Sequence, residues 1–302
     1  MTNVIEVTGL TKRFGRLIAV DDVSFVVRSG EIFGLLGENG AGKTTTIEIL
    51  EGFQKPDQGS ATVLGVNPVH AHRHWRDRIG LVLQESDFDP LHTVNETLAL
   101  FASFFTNPRD VTETLELVGL ADRADERIGR LSGGQKRRID VALGIIGHPD
   151  LLFLDEPTTG FDPVARREFW GVIEGLREQG TSIVLTTHYM EEAERLCDRL
   201  AIMSKGQIVA EGTSSALISA LGATTIRFEL PYGVDQSTLC TICKVNFAVR
   251  DNVAAVLLGD DVQDVLMRLL TWSQSTGQTL VGLEVVRPTL NDVFLGATGA
   301  EP

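Results

Sequence analysis

The chain has 302 residues, of which 43% are apolar and 23% charged, a globular balance that excludes a disordered or fibrous protein. Its 27 basic and 41 acidic residues leave a net charge of −14, which argues against general nucleic-acid binding because such binding requires a basic face. Three cysteines are too few for a disulfide framework, no apolar run approaches the roughly 20 residues that span a bilayer, and the N-terminus does not resemble a signal peptide. We therefore expect a soluble, acidic, cytoplasmic protein.

The first part of the chain predicts a β-rich domain interrupted by one helix. Runs of β-branched and apolar residues predict strands at 4–7, 23–27, 32–36, 61–64 and 79–83, with a Gly-rich loop and a helix through Leu50 after the third. Residues 93–147 read mainly as helix, beginning at Thr93. Short apolar runs at 151–154 and 182–186, with a helix over 164–179 between them, are typical of parallel strands, so we expect an α/β domain with a helical insertion.

The pattern changes after residue 213, and we place a domain boundary near residue 217. Strand-like runs at 224–230, 253–258 and 280–286, a helix over 260–275 and a last helix from Thr289 predict a small α+β domain over residues 218–302. This second domain carries no catalytic constellation. A role in dimerisation or regulation is a hypothesis.

A Gly-rich loop between a predicted strand and a predicted helix matches G-x-x-x-x-G-K-[ST], the sequence of a phosphate-binding loop. Its glycines let backbone N–H groups face inward, and the helix N-terminus adds a positive dipole end. Lys43 is placed to reach the β- and γ-phosphates of a nucleotide, and the Thr44 hydroxyl to ligate Mg²⁺. The residues of this loop that we expect to bind nucleotide are Gly37, Asn39, Gly40, Ala41, Gly42, Lys43, Thr44 and Thr45.

Two adjacent acids, Asp155 and Glu156, end the apolar run at 151–154, at the strand edge where open α/β sheets bind ligands. Asp155 is suited to hold Mg²⁺ through water. We expect Glu156 to point to the opposite side and to polarise an attacking water. By themselves two acids at a strand end are also typical of a solvated loop.

A second helix N-terminus follows Leu131. Ser132 and Gln135 have the spacing of a capping box, and Gly133 and Gly134 between them leave N–H groups accessible to a phosphate. Because one nucleotide needs only one such cradle, a second cradle implies a composite site.

With these three motifs the chain resembles the ATP-binding subunits of ABC transporters over its first 215 or so residues. Walker A corresponds to 37–45, the signature motif to 131–135 and Walker B to 151–156. By resemblance, four further residues have family roles: Gln84 as the Q-loop glutamine that ligates Mg²⁺, Asp162 in the D-loop, His188 as the switch histidine and Phe14 as the aromatic that stacks on adenine. The family more often has Tyr at Phe14 and Leu at Phe161, and both departures keep a large apolar side chain.

The resemblance implies a P-loop NTPase fold of the ABC type, with a parallel core sheet, an antiparallel β subdomain and a helical subdomain at about 86–147. It also implies that two subunits pair head to tail, each ATP lying between the Walker A loop of one and Ser132–Gln135 of the other. Glu156, His188, Lys43 and Gln84 would then act in hydrolysis. The implied partners are a second nucleotide-binding subunit and a separate transmembrane permease, on the cytoplasmic side of the membrane, with no nucleic acid.

Three stretches, 34–46, 188–194 and 288–295, look like the daunorubicin-resistance type within the family, which implies export of drugs, antibiotics or lipophilic molecules. The last stretch is equally typical of a terminal helix capped by Thr289. Soluble family members that act on ribosomes or DNA are the alternative. Those proteins carry tandem ATP sites or long coiled-coil insertions, which this sequence lacks. A regulatory ATP-binding module without turnover is a third reading, against which Glu156 and His188 argue.

We assign no function to three other motifs. Arginines neighbour the His-rich tract 70–74, so a solvated or membrane-proximal segment is favoured over a metal site. Cys240 and Cys243 have redox or zinc spacing but no second ligand pair. The basic run 136–138 is interpreted as a helix face near the nucleotide.

Overall fold

The structure, a computed structural model, describes residues 2–82, 88–222, 224–259 and 261–299. The chain divides into two compact units, residues 1–214 and 215–302, and the boundary expected near residue 217 falls within the helix that spans this division. No helix in the part of the chain that the structure describes combines the length and the apolar character needed to cross a membrane.

The described strands of unit 1 form two sheets. Its strands are β1 (Asn3–Phe14), β2 (Leu17–Arg28), β3 (Ile32–Gly37), β4 (Gln58–Val63), β5 (Ile79–Val82), β6 (Leu151–Asp155), β7 (Ser182–Thr187), β8 (Arg199–Ser204) and β9 (Gln207–Gly212). The larger sheet has the order β5–β6–β7–β3–β8–β9, in which all neighbours are parallel except β8 and β9. The smaller sheet, β2–β1–β4, is antiparallel. Both contribute to one core, in which the rings of Phe25 and Phe33 stack at 5.2 Å.

The helices of unit 1 are α1 (Lys43–Glu51), α2 (Arg73–Arg76), α3 (Val94–Ala102), α4 (Val111–Leu117), α5 (Gly133–Ile145), α6 (Pro163–Glu178) and α7 (Met190–Leu196), and α8 (Ser214–Leu221) crosses into unit 2. The predicted helical region is three separate helices, α3 to α5, with 3₁₀ turns at Ala121–Arg123 and Ile128–Arg130. The helix start expected at Thr93 is confirmed. Thr93 Oγ1 accepts from Glu96 N at 3.1 Å, and Thr93 N donates to Glu96 Oε2 at 2.9 Å.

The central strands β6, β7 and β3 are neighbours and run parallel, so their carboxyl ends meet at one edge of the sheet. Every residue of β3 and β7 is buried, which explains their nearly unbroken apolar sequences. In register, Asp155 lies beside Thr186, and Leu36 beside Thr187. The residues that follow these strands are thereby brought together.

Unit 2 is an α+β domain, as expected from its sequence. Its elements are β10 (Thr224–Glu229), α9 (Gln236–Cys243), β11 (Ala248–Arg250), β12 (Val253–Leu258), α10 (Val262–Thr276), β13 (Glu284–Val286) and α11 (Leu290–Thr298). The antiparallel order β11–β12–β10–β13 with helices after the first and third strands is a ferredoxin-like βαββαβ arrangement. The strand expected at 280–286 is shorter than predicted.

Sequence reasoning missed α9 and β11. The residues of α9 are mostly Thr, Ser, Ile and Cys, which have weak helix propensity and no clear helical period. The helix forms because Asp235 caps it, accepting from Thr238 N at 2.8 Å, and because Leu239 and Cys243 enter the core of unit 2.

Candidate active site

The turn between β3 and α1 has the backbone geometry of an anion-binding loop. Gly40 and Gly42 have φ values of 82° and 102°, in the left-handed region that favours glycine. A Cβ on Gly42 would lie 2.3 Å from Ala19 O, so only glycine fits there. Gly42 is also the N-cap of α1 and has no side chain to occupy the helix N–H groups, which therefore face whatever binds at this end.

Lys43, the first residue of α1, is buried at the centre of this loop. Its Nζ donates to Gly37 O at 2.8 Å and to Glu38 O at 3.2 Å, and lies 3.6 Å from Glu156 Oε1. Burial lowers the pKa of Lys43, against the opposing effect of the Glu156 and Asp155 charges. The ammonium is thus held in the loop by carbonyls and a carboxylate, within reach of a bound phosphate.

Thr44 and Asp155 provide oxygen ligands suited to Mg²⁺. Thr44 Oγ1 donates to Asp155 Oδ2 at 3.4 Å, and the other carboxylate oxygen accepts a short hydrogen bond from Thr186. A hydroxyl and a carboxylate fixed by a neighbouring strand match the preference of Mg²⁺ for hard oxygen donors. Gln84, the third expected ligand, lies outside the described residues.

Glu156 faces the start of α1, as Asp155 does: its Oε1 lies 3.6 Å from Lys43 Nζ, while Asp155 accepts from Thr44. The expectation that Glu156 points to the opposite side is therefore wrong. Strand alternation stops at Asp155, where β6 ends, and Glu156 adopts a left-handed φ of 45°. Its backbone N donates to Thr186 Oγ1 at 2.9 Å, and its Oε2 accepts from Thr159 Oγ1 at 3.3 Å. A non-glycine residue in this conformation costs roughly 1–3 kcal/mol and persists only where its surroundings hold it.

His188 follows β7 and faces Glu156. Its Nδ1 lies 3.4 Å from Glu156 Oε2, a contact that is not aligned as a hydrogen bond. The imidazole packs on Tyr189 with ring centroids 4.0 Å apart, and Tyr189 in turn lies under the guanidinium of Arg166 at 4.1 Å. These contacts hold the imidazole of His188 at the edge of the site.

A cleft of about 710 Å³ opens over the loop. Phe14, 46% exposed, forms part of its wall, and the Lys12 ammonium lies 5.4 Å from that ring. The predicted residues that line the cleft are Phe14, Asn39, Gly40, Gly42, Lys43, Thr44, Thr45 and Glu156. Of the other two loop residues, Ala41 is buried, and a Cβ on Gly37 would approach Met203 O to 2.6 Å.

Four of the described residues that line the cleft were missed by sequence reasoning: Leu17, Ile18, Ala19 and Lys205. Lys205 comes from the β8–β9 turn. This turn is joined to the loop by a hydrogen bond from Gly206 N to Ala41 O at 3.0 Å. The glycine after Lys205 indicates a turn, but only the pairing of β3 with β8 places that turn beside the loop.

The signature residues form a separate, capped helix end. Gln135 N donates to Ser132 Oγ at 3.3 Å and Ser132 N to Gln135 Oε1 at 2.9 Å, so the expected capping box is confirmed. A Cβ on Gly133 or Gly134 would meet no described atom within 4 Å. Among the described residues that line the cleft, none belongs to Ser132–Gln135, so a single chain does not bring the two cradles together.

Asp162 is likewise not among the described residues that line the cleft. Its Oδ1 accepts from Val164 N at 2.8 Å and from Ala165 N at 2.9 Å, which caps α6. Asp162 thus fixes the start of this helix.

The remaining motifs have structural explanations. The histidine tract lies in a 3₁₀ turn and α2, and His72 Nδ1 caps that helix by accepting from Trp75 N at 3.2 Å. Cys240 Sγ accepts from Phe247 N at 3.4 Å. The basic run is not one exposed face, because Arg137 is buried.

Comparisons with known proteins agree with this architecture. The family model described as ABC transporter matches residues 20–159. The chain is similar to a Nod factor export ATP-binding protein I of Burkholderia lata, with 39% identity over 98% of this chain and 97% of the relative. The protein of the same name from Mesorhizobium japonicum is 42% identical over 99% of this chain and 88% of the relative.

Solved structures share the fold. A structure of an ATP-binding subunit of an ABC transporter has a TM-score of 0.65 and 28% identity, covering 72% of this chain and 93% of that one. A dimeric ATP-binding cassette in a post-hydrolysis state with ADP and Pi has a TM-score of 0.62 and 23% identity, covering 69% and 98%. The fold class expected from the sequence is confirmed.

Proposed function

The chain belongs to the ABC transporter family as an ATP-hydrolysing ATP-binding subunit, and we propose that it powers export through a separate transmembrane permease. The proposed cargo is a drug, an antibiotic or another lipophilic molecule, as in the daunorubicin-resistance type. The relatives named for Nod factor export support the direction of transport. The subunit would act at the cytoplasmic face of the membrane, held there by the permease.

The observation that carries the proposal is the convergence of five side chains at one sheet edge. Lys43 and Glu156 are 3.6 Å apart, Glu156 and His188 3.4 Å, and Thr44 and Asp155 3.4 Å. The triphosphate of ATP would lie on the N-terminus of α1 against Lys43. Mg²⁺ held by Thr44 and Asp155 would supply neutralisation of phosphate charge.

Glu156 is the residue that we assign to the attacking water. Its carboxylate is 12% exposed and borders the cleft, so it can orient a water and accept its proton. His188, held against it, would contact the γ-phosphate. Gln84, by its family role, would connect this site to the membrane-facing surface.

The position of the signature residues supports a head-to-tail dimer. The N-terminus of α5 is capped, and a Cβ on Gly133 or Gly134 would meet no described atom within 4 Å. None of the residues Ser132–Gln135 is among the described residues that line the cleft. ATP bound to one subunit would therefore meet Ser132–Gln135 of a second copy, with Asp162 near the junction. Binding closes this dimer and hydrolysis releases it, which is a ligand-driven shift of population.

A groove on unit 1 offers a docking surface for the permease. It encloses about 650 Å³ beside β5, the strand that precedes Gln84. Leu100, Phe101 and Phe104 line it and are 49%, 37% and 57% exposed. Apolar patches of this kind mark interaction sites, and we assign this one to a cytoplasmic segment of the permease.

Unit 2 would help to dimerise or regulate the motor. Removal of the chain beyond about residue 217 tests this role. We expect weaker assembly or altered ATPase activity, and unchanged ATPase, assembly and transport would contradict it.

The substitution Glu156→Gln tests the catalytic assignment. We expect ATP binding to persist, kcat to fall by a factor on the order of 10² to 10⁴, and an ATP-bound dimer to accumulate. Steady-state ATPase assays and size-exclusion chromatography with ATP measure both effects. Glu178→Gln, an exposed position at the end of α6, is the matched control. Normal hydrolysis by the Glu156 variant would remove this residue from catalysis.

A further inference from the structure

Arg137 is a buried guanidinium inside α5, two residues after the capping box ends at Gln135. Only 9% of its side chain is exposed, and burial lowers its pKa, against the opposing charges of Asp140 and Asp155. Burying a charged group is costly unless its donors are paired. The groups that accept hydrogen bonds from the Arg137 guanidinium therefore explain why this side chain can be buried.

Those groups are the two carbonyls that flank Glu156. Arg137 Nη2 donates to Asp155 O at 3.1 Å, and Nε donates to Pro157 O at 3.1 Å. Asp140 Oδ2 lies 3.5 Å from Nη1 and orients the guanidinium from within α5. The planar fork thus spans the backbone immediately before and after the residue assigned to the attacking water.

The conformation of this backbone sets the position of the Glu156 carboxylate. Glu156 has a left-handed φ of 45°, and its N–H is held by Thr186 Oγ1 at 2.9 Å. The loop continues to Thr158, whose hydroxyl donates to the buried Glu192 at 2.8 Å. Arg137 joins this loop to α5, because its guanidinium donates to the backbone carbonyls on both sides of Glu156.

The same helix begins at Ser132. This step rests on the proposed head-to-tail dimer, in which ATP bound by the partner subunit would engage the N-terminus of α5. Arg137, about one helical turn further along α5, holds the loop around Glu156 of its own chain. We propose that Arg137 is a positioning residue that couples the ATP at Ser132–Gln135 to Glu156 of the other ATP site. A shift of α5 on engagement then changes the position of Glu156, and the two sites hydrolyse cooperatively.

Arg137→Lys in the full-length protein tests this coupling, because it keeps the charge and removes the fork. We expect kcat to fall by about tenfold or more, since small displacements of a catalytic group are costly. The dissociation constant of the isolated subunit for ATP should stay within about twofold, because Arg137 is not among the described cleft residues. The Hill coefficient for ATP should fall from above unity toward unity.

Arg138→Lys is the matched control on the same helix. Arg138 donates to Val118 O at 3.4 Å and pairs with Glu168, so its replacement should leave the Hill coefficient unchanged. Asp140→Asn is the second variant, which disturbs the orientation of Arg137 with a smaller change. It should lower kcat and cooperativity in the same direction, and it decides the question if Arg137→Lys does not fold.

The outcomes separate this proposal from the proposed function. If wild type dimerises with ATP and Glu156→Gln stalls, but Arg137→Lys keeps the wild-type kcat, Arg137 does not position Glu156. A lowered kcat with unchanged cooperativity would overturn the coupling between sites. A wild type that neither hydrolyses cooperatively nor dimerises with ATP would instead overturn the dimer on which the coupling rests.

Discussion

The Lys43 ammonium lies 3.6 Å from the Glu156 carboxylate, and only 4% and 12% of the two side chains are exposed. One residue begins α1 and the other follows β6, so the pair joins the phosphate-binding loop to the second acidic strand end. In such a buried pair each charge depends on the other. A change at Glu156 therefore also alters Lys43, and ATP binding has to be measured beside hydrolysis in every variant of this pair.

Phe14 should contribute to nucleotide affinity. We expect Phe14→Ala to weaken ATP binding by about fivefold or more, because stacking of a base on an aromatic ring contributes roughly 1–3 kcal/mol. Fluorescence titration with a labelled ATP analogue measures the change. Phe53→Ala is the control, since Phe53 is 63% exposed and is not among the described cleft residues. Equal dissociation constants for both variants would contradict a stacking role.

Gly42 should tolerate no side chain. In Gly42→Ala the new Cβ would meet Ala19 O at 2.3 Å, so the loop must move, and we expect loss of ATP binding together with reduced stability. Gly40→Ala serves for comparison. Gly40 also has a positive φ, but a Cβ there would meet no described atom within 4 Å, so only the backbone cost of about 1–2 kcal/mol applies. Urea unfolding compares the two, and equal losses would show that the contact with Ala19 is unimportant.

Glu51, near the end of α1, should make stability depend on pH. Burial raises the pKa of Glu51 to about 8, and the charges of Asp155 and Glu48 add to the increase. The native state holds this proton more tightly than the unfolded chain does. The contribution of Glu51 to stability is therefore full below the ordinary glutamate pKa of 4.5 and is lost as the pH rises toward 8.

Glu51→Gln should remove this dependence. We expect its free energy of unfolding to fall less than that of wild type between pH 5 and about 8, by on the order of a few kcal/mol. Urea unfolding of the nucleotide-free protein without magnesium measures it. Glu116→Gln, at an exposed position of α4, should follow the wild-type curve. Parallel curves for wild type and Glu51→Gln would refute the assignment.

The groove on unit 1 should be needed for assembly but not for catalysis. The double variant Phe101→Ser and Phe104→Ser removes two rings that pack edge to face at 5.8 Å. We expect it to lose co-purification with the co-expressed permease that we propose as its partner, while the ATPase activity of the isolated subunit stays within about twofold. Tyr232→Ser, at a fully exposed position of unit 2, is the control. Undiminished co-purification of the double variant would exclude the groove as the docking surface.

Short-range features were predictable from the residues alone. The capping boxes at Thr93 and Ser132 and the glycine-rich turn before Lys43 depend on contacts within a few positions, so spacing and residue type are sufficient to identify them. The buried strands β6 and β7 were predictable because burial on both faces leaves an unbroken apolar run. Asp155 and His188 could therefore be placed at strand ends before the fold was known.

The local pattern does not contain the remaining features. Lys205 enters the cleft because β8 pairs with β3. Glu156 faces Lys43 because its backbone turns where β6 ends. Arg137 is buried because two carbonyls of a distant loop accept hydrogen bonds from its guanidinium. Each depends on contacts between segments far apart in the chain. The sequence thus identified the chemical groups of an ATP site, whereas the packing of the sheet and α5 determined their directions and the link between the signature helix and Glu156.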